Sequence, residues 1–216
     1  MKNLTGPILP NYEEKELIAS GSFSWVYRCL NQEEGSLCAI KIAKPSELCR
    51  KAVRQAANRR NALVYRTQLF EWGSEFLYET SLAPDFAPSD LLRRQAAILS
   101  ACNDSSLVKF IESGVAEDQA YLCMDYLAGP TLRELLRCGK ASIQTLIDVL
   151  EGLGRLYGST SFQYHGDLKP ENIIVTAAGA KMIDPGIFSG GALVTTQAYY
   201  PTLSPVDLVA CGAMLW

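Results

Sequence analysis

The 216-residue chain has a single histidine, His165, and its seven cysteines are an odd number scattered without the pairing of a metal site. One histidine rules out a Ser-His-Asp enzyme built on any other base. The cysteine pattern favours reduced, buried thiols over a disulfide framework. No apolar run is long enough to span a bilayer, and the N-terminus lacks a signal-peptide pattern, so a cytoplasmic protein without a membrane segment is expected. Neither charge sign dominates: 20 Lys and Arg stand against 23 Asp and Glu, a formal net charge of −3. That balance gives no strong electrostatic case for nucleic acid. There is no internal repeat and no low-complexity linker, and the length suits one domain.

What is present is concentrated in His165-Gly166-Asp167-Leu168-Lys169-Pro170-Glu171-Asn172, with Asp184-Pro185-Gly186 beginning twelve residues after Asn172. The first segment reads as a tight loop, because Pro170 has no backbone donor and cannot continue a central strand. Ile173-Ile174-Val175 reads as a short buried strand, Thr176 to Gly179 as a turn, and Lys181-Met182-Ile183 as a returning strand. A hairpin of that size brings Asn172 and Asp184 together at its paired ends. An amide oxygen beside a carboxylate suits Mg²⁺, which prefers hard oxygen ligands. Asp167 faces the same point from the loop. Any one of these residues alone reads as a turn former or a solvated charge; the set at fixed offsets does not.

This segment resembles the catalytic and metal-binding loops of the eukaryotic-like, bacterial-type Ser/Thr protein kinase family. The resemblance implies an α+β, protein-kinase-like two-lobe fold, with an antiparallel small-lobe sheet and a mostly helical, incomplete large lobe. It implies ATP and Mg²⁺ as cofactors and a protein substrate presenting Ser or Thr. Asp167 and Lys169 take the catalytic positions, and Asn172 and Asp184 the metal positions. Residues 1–125 would form the small lobe, with an insertion at about 46–88, and 126–216 the hinge and part of the large lobe.

Other segments extend the resemblance. Ile18-Ala19-Ser20-Gly21-Ser22-Phe23-Ser24 looks like the phosphate-covering loop, although only the middle of three usual glycines remains, as Gly21. Ala19, Gly21 and Ser22 are small enough to admit phosphate oxygens to backbone N–H groups, and they suit a plain hairpin turn equally. Lys41 follows Ala19 by 22 residues, the family's spacing. Alternation sets it on the opposite strand face from Ile40 and Ile42. A snorkelling strand-end lysine is the plainer reading; the spacing favours a phosphate contact. Val26, Ala39, Leu132 and Ile174 would sandwich the adenine by resemblance. Met124, Asp125 and Leu127 would line the back of the pocket and the hinge, with core packing the other role for Met124.

Several departures shape the expectations. The family's glutamate partner for Lys41 corresponds to Gln95, four residues before Leu99. An amide supplies no compensating charge, so Gln95→Glu is expected to restore one, unless Glu71, Glu75 or Glu79 already does. Pro185 replaces an aromatic residue and biases Asp184 toward extended backbone. Gly166 replaces an arginine that would receive an activation-segment phosphate. The insertion carries Arg50, Lys51, Arg54, Arg59, Arg60 and Arg66 on an expected helix opened by Pro45-Ser46-Glu47. A solvated helix face is favoured there over nucleic acid or anionic lipid. A second helix, from Ser142 to Leu156, carries Leu146, Val149, Leu150, Leu153 and Leu156 as one stripe. Asp207 resembles the residue that bonds the catalytic-loop backbone from the large lobe's central helix, and the resemblance ends inside that helix, as in a truncated domain. Two alternatives accompany the kinase reading: a pseudokinase that binds nucleotide or a partner without turnover, and a small-molecule kinase of the aminoglycoside or choline phosphotransferase type.

Overall fold

In a computed structural model the described residues are 7, 9–21, 23–49, 63–66, 87–158, 165–185, 187–189, 192–195, 207, 211 and 214. Five strands make one antiparallel sheet: β1 (Tyr12–Ser20), β2 (Ser24–Asn31), β3 (Ser36–Ala43), β5 (Phe110–Ala116) and β6 (Gln119–Asp125), in the order β1-β2-β3-β6-β5. Another strand, β4 (Leu63–Arg66), lies outside it.

The sheet divides the apolar residues by the period-2 alternation of its strands. Trp25, Tyr27, Cys29, Cys38, Ile40, Ile42 and Cys123 fall on one face, closed by Leu9 and Tyr12. Ala39, Ala43, Leu122 and Met124 fall on the other. That second face is covered by helix α1 (Pro88–Ala101), which contributes Leu92, Ala96 and Leu99. Proline in the first turn suits α1, since its missing N–H has no partner there anyway, and Asp90 in that turn favours the helix dipole.

After β6 the chain leaves the sheet through Tyr126 to Pro130 and enters helix α2 (Leu132–Arg137). Thr131 caps it in a complete capping box with Glu134. Gly129 is required in this crossing. A Cβ there would stand 2.2 Å from the Val175 carbonyl oxygen, a contact with backbone that cannot rotate away. Helix α3 (Ile143–Tyr157), capped by Ser142, buries Val149, Gly152, Leu153 and Leu156. Leu150 departs from the expected stripe: it is 40 % exposed and sits on the flank with the exposed Ile143 and Ile147. At 100° per residue it falls outside the arc that Val149 and Leu153 centre on the core.

The hairpin of β7 (Ile173–Thr176) and β8 (Gly179–Met182) pairs as expected, Ile173 opposite Met182. Its edges are strapped by the rest of the chain. Met182 N–H donates to the Ser106 carbonyl (2.7 Å), Val108 N–H to the Met182 carbonyl (3.0 Å), and Val175 N–H to the Pro130 carbonyl (2.9 Å). A third sheet, in the order β4-β10-β9, joins β4 to β10 (Ala192–Thr195) and β9 (Ile187–Ser189). The expected insertion helix opens at 46–49, but Arg66 stands in β4, paired with Ala192 of β10, and not on a helix; Arg50, Lys51, Arg54, Arg59 and Arg60, and the three insertion glutamates, lie outside the described residues. No described helix is long and apolar enough to cross a membrane.

Two glycines give opposite expectations. Gly129→Ala forces backbone apart at the crossing and lowers the midpoint of thermal unfolding by several degrees, about 1–3 kcal/mol. Gly154→Ala has nothing within 4 Å of the added methyl in the middle of α3, so it raises the midpoint through about 0.5–1 kcal/mol of helix propensity. Thermal unfolding followed by circular dichroism distinguishes the two.

Candidate active site

The site forms where β3, α1, the loop before β7 and the end of β8 converge. Lys41 lies on the α1 side of β3, opposite to Ile40 and Ile42 as alternation requires, and only 8 % of it is exposed. A buried ammonium needs compensation. It finds this in Asp184, whose Oδ1 is 2.9 Å from Lys41 Nζ, and in the Gln95 Oε1 at 2.8 Å. The opposite charge therefore comes from Asp184 itself. Gln95 Nε2 also donates to the Pro185 carbonyl (3.1 Å).

Asp184 has φ +56°, in the left-handed region. This corrects the extended conformation expected before proline. Asp tolerates left-handed backbone better than most residues, and its side chain is drawn to Lys41; the strain is of order 1–2 kcal/mol. Burial would push the Asp184 carboxyl up, but the attraction of Lys41, the hydrogen bond from it and the charge of Lys169 together hold it below the usual carboxylate value. It is an anion at neutral pH.

Asp167 and its neighbours form a second cluster. Lys169 Nζ lies 2.8 Å from Asp167 Oδ2, and Asn172 Nδ2 donates to the same oxygen (3.0 Å) and to the Asp167 carbonyl (2.8 Å). A single 3-10 turn, Pro170–Asn172, folds the loop back so that this is possible. With its nitrogen committed to Asp167, Asn172 leaves its amide oxygen as the end able to meet a cation. Asn172 accepts from Ile183 N–H through its carbonyl (2.9 Å), which sets it one residue from Asp184 across the hairpin mouth. The donor set fits Mg²⁺: two hard oxygens from facing chain ends, with the anionic one already ionised. Among the described residues there is no cluster of three or more His, Cys, Asp or Glu able to hold a metal.

The sequence gives His165 no role beyond its place in the motif. It is wholly buried. Its Nε2 lies 2.9 Å from the Ile183 carbonyl, and its Nδ1 accepts from Asp167 N–H (3.4 Å). Only the neutral ring with its proton on Nε2 satisfies both, so His165 links the Asp167 loop to Ile183, between the end of β8 and Asp184. Beneath it, Asp207 accepts from His165 N–H (2.5 Å), Gly166 N–H (2.9 Å) and the Tyr157 hydroxyl (2.6 Å). Asp207 thus meets the catalytic-loop backbone as the resemblance implied. Gly166 has φ +80°, a conformation suited to glycine and costly for the arginine it replaces.

The residues expected on the adenine side also gather. Ala39, Met124 and Leu132 are buried in one cluster, with Val26 and Leu127 packed against it. Ile174 follows through its bridge to Thr131, and Asp125 N–H is held by the Lys109 carbonyl (3.0 Å). Ala19 is paired with Val26 across β1 and β2, and Gly21 N–H donates to the Ser24 carbonyl (3.0 Å). Ser22 lies outside the described residues. Lys44, which sequence reasoning missed, donates to Ser20 Oγ (3.0 Å) and to the Gly21 carbonyl, so a cation fixes this turn from beneath. No motif marks it; it adjoins a strand end and shows only in the fold.

The single histidine gives a pH window of its own. Burial lowers the His165 pKa below 6.5 against the opposing pull of Asp207 and Asp167. The unfolded chain therefore binds the extra proton first, and stability is lost as pH falls below about 6.5. The unfolding midpoint is expected to drop between pH 7.5 and 5.5, and His165→Gln to flatten that slope, in thermal scans at both pH values.

No family model matches the chain. Curated relatives do. A serine/threonine-protein kinase of Saccharomyces cerevisiae is 24 % identical over 181 residues, 81 % of this chain and 11 % of the relative. A probable serine/threonine-protein kinase of Streptomyces coelicolor is 31 % identical over 166 residues, 62 % of this chain and 24 % of the relative. A calcium/calmodulin-dependent protein kinase type II of Caenorhabditis elegans is 25 % identical over an alignment of 241 positions, covering 100 % of this chain and 28 % of the relative. The chain thus spans well under half the length of these relatives. The distant similarity, over most of the chain and to several Ser/Thr protein kinases, supports a protein kinase domain with a kinase-like fold.

Proposed function

We propose that the protein transfers the γ-phosphoryl group of ATP to Ser or Thr hydroxyls of a protein substrate. The observation that carries this reading is the Lys41–Asp184 pair, which joins a cation from the sheet to a metal-type carboxylate within reach of the Asp167 cluster. Residues 1–125 act as a small lobe above the nucleotide, and residues from 126 onward as hinge and large lobe below it. Val26, Ala39, Met124, Leu132 and Ile174 enclose the adenine, and the backbone from Asp125 to Leu127 reads its edge. Ala19, Gly21 and Ser22 cover the phosphates.

Lys41 binds the α- and β-phosphates when it exchanges part of its contact with Asp184 for them. Asn172 and Asp184 would hold Mg²⁺, which neutralises charge building on the transferred group. Asp167 accepts the substrate hydroxyl proton, and its bond to Asn172 Nδ2 fixes the acceptor oxygen. Lys169 stays beside Asp167 and stabilises the equatorial oxygens of the transferring phosphoryl group.

Calorimetry with ATP is expected to show binding that requires Mg²⁺ and is lost in Lys41→Met. Phosphotransfer from radiolabelled ATP to a Ser/Thr protein substrate is expected to fall by 100-fold or more, about 2.7 kcal/mol of barrier, in Asp167→Asn with nucleotide binding kept. Binding without any transfer by the unaltered protein identifies a pseudokinase instead.

Gly166 offers no side chain for an activation-segment phosphate, so activity is independent of that phosphate. By the resemblance, Thr195 and Thr196 lie where the family keeps its activation segment, and the Thr195→Ala, Thr196→Ala double variant is expected to keep its transfer rate within about threefold. A loss of ten-fold, about 1.4 kcal/mol, contradicts this.

A further inference from the structure

We propose that Gln95 is a two-ended positioning residue whose amide, and not a carboxylate, is the group this site requires. The inference rests on the kinase reading only for its kinetic readout. Gln95 Oε1 accepts from Lys41 Nζ at 2.8 Å, and Nε2 donates to the Pro185 carbonyl at 3.1 Å. The amide cannot be turned end for end. The ammonium only donates and the carbonyl only accepts, so the opposite orientation would set donor on donor and acceptor on acceptor.

The position of Pro185 explains the choice. Proline has no N–H, so at residue 185 the backbone presents only an acceptor to α1. A side chain reaching it must bring a donor. The same side chain must bring an acceptor to Lys41, and glutamine carries both at the right length. An ionised glutamate keeps the contact with Lys41 but turns an oxygen toward the Pro185 carbonyl. The usual benefit of that carboxylate, an opposite charge for the lysine, is already supplied by Asp184 at 2.9 Å.

The four residues therefore close a ring: Lys41 to Asp184 by an ion pair, Asp184 to Pro185 by the peptide bond, Pro185 to Gln95 and Gln95 to Lys41 by hydrogen bonds. Asp184 sits in this ring in left-handed backbone, φ +56°. It is gripped on its side chain by Lys41 and on the following carbonyl by Gln95. Helix α1 is thereby tied to the loop that carries the metal-type carboxylate. The apparent defect at Gln95 and the unusual proline at 185 are one paired feature.

The test uses the whole chain and three forms: unaltered, Gln95→Glu and Gln95→Met. Gln95→Glu keeps the lysine contact, so KM for Mg-ATP is expected to stay within about threefold while kcat falls ten-fold or more. Gln95→Met loses both ends, and both constants worsen. Amide hydrogen exchange of the peptide spanning residues 183–189 is expected to quicken ten-fold or more in both variants, with unfolding midpoints near that of the unaltered protein. A Gln95→Glu form as active as the unaltered protein, or more so, with unchanged exchange overturns the proposal. If the unaltered protein transfers no phosphate, the kinase reading fails, and the exchange measurement alone decides the role of Gln95: quickened exchange upholds it and unchanged exchange ends it.

Discussion

Lys41 and Asp184 sit at the centre of the structure because neither is tolerable where it stands without the other. Lys41 is carried into the interior by a strand whose alternate residues, Ile40 and Ile42, are fully buried on the far face. Its own face must then hold an ammonium among Ala39, Ala43 and Leu122. Asp184 is drawn into left-handed backbone at the end of β8. Removing one partner of such a pair leaves an uncompensated charge, at a cost of about 3–5 kcal/mol. A group held at that cost is better explained by chemistry than by stability, since a well-packed apolar pair would serve the fold as well. The elements that bring the two together are the β3–β6 register, the packing of α1 on the sheet and the straps on the β7–β8 hairpin.

The second cluster depends on the first through the same hairpin. Ile183 donates its N–H to Asn172 and accepts through its carbonyl from His165, so the residue just before Asp184 is bonded to both ends of the Asp167 loop. Asp207 holds that loop from the other side through two backbone N–H groups. Asp167, Lys169 and Asn172 are thus fixed by backbone contacts above and below, leaving their side chains to engage one another. Salt bridge Arg133–Glu171, at 2.7 Å, joins α2 to the same turn, but it is partly exposed and contributes little beyond orientation.

Much of this was legible in the sequence because it depends on short-range pattern. Alternation around Lys41, the Pro170 turn and the hairpin that unites Asn172 with Asp184 all follow from residues within a dozen positions of each other. Leu150 was misread because a stripe of leucines does not say which arc of a helix the core will reach. Asp184 was misread for a different reason: the steric rule before proline is local, while the pull of Lys41 comes from a strand more than 140 positions earlier. The roles of His165 and Lys44, and the second end of Gln95, were invisible for the same reason. Each bonds to a backbone carbonyl, which every residue type possesses and no motif encodes.

Gln95 shows how a family pattern can mislead when one position is read alone. Set against a lysine, glutamine reads as a lost charge. Set against Lys41, Asp184 and Pro185 together, it has the donor and the acceptor that its two neighbours call for. Restoring the family residue at one corner of that ring, while proline remains at the other, creates an acceptor facing an acceptor. A substitution is therefore conservative with respect to its partners, and at this site the partner that distinguishes amide from carboxylate is a backbone carbonyl ninety positions away. The fold brings it there through the same hairpin that presents Asp184 to Lys41.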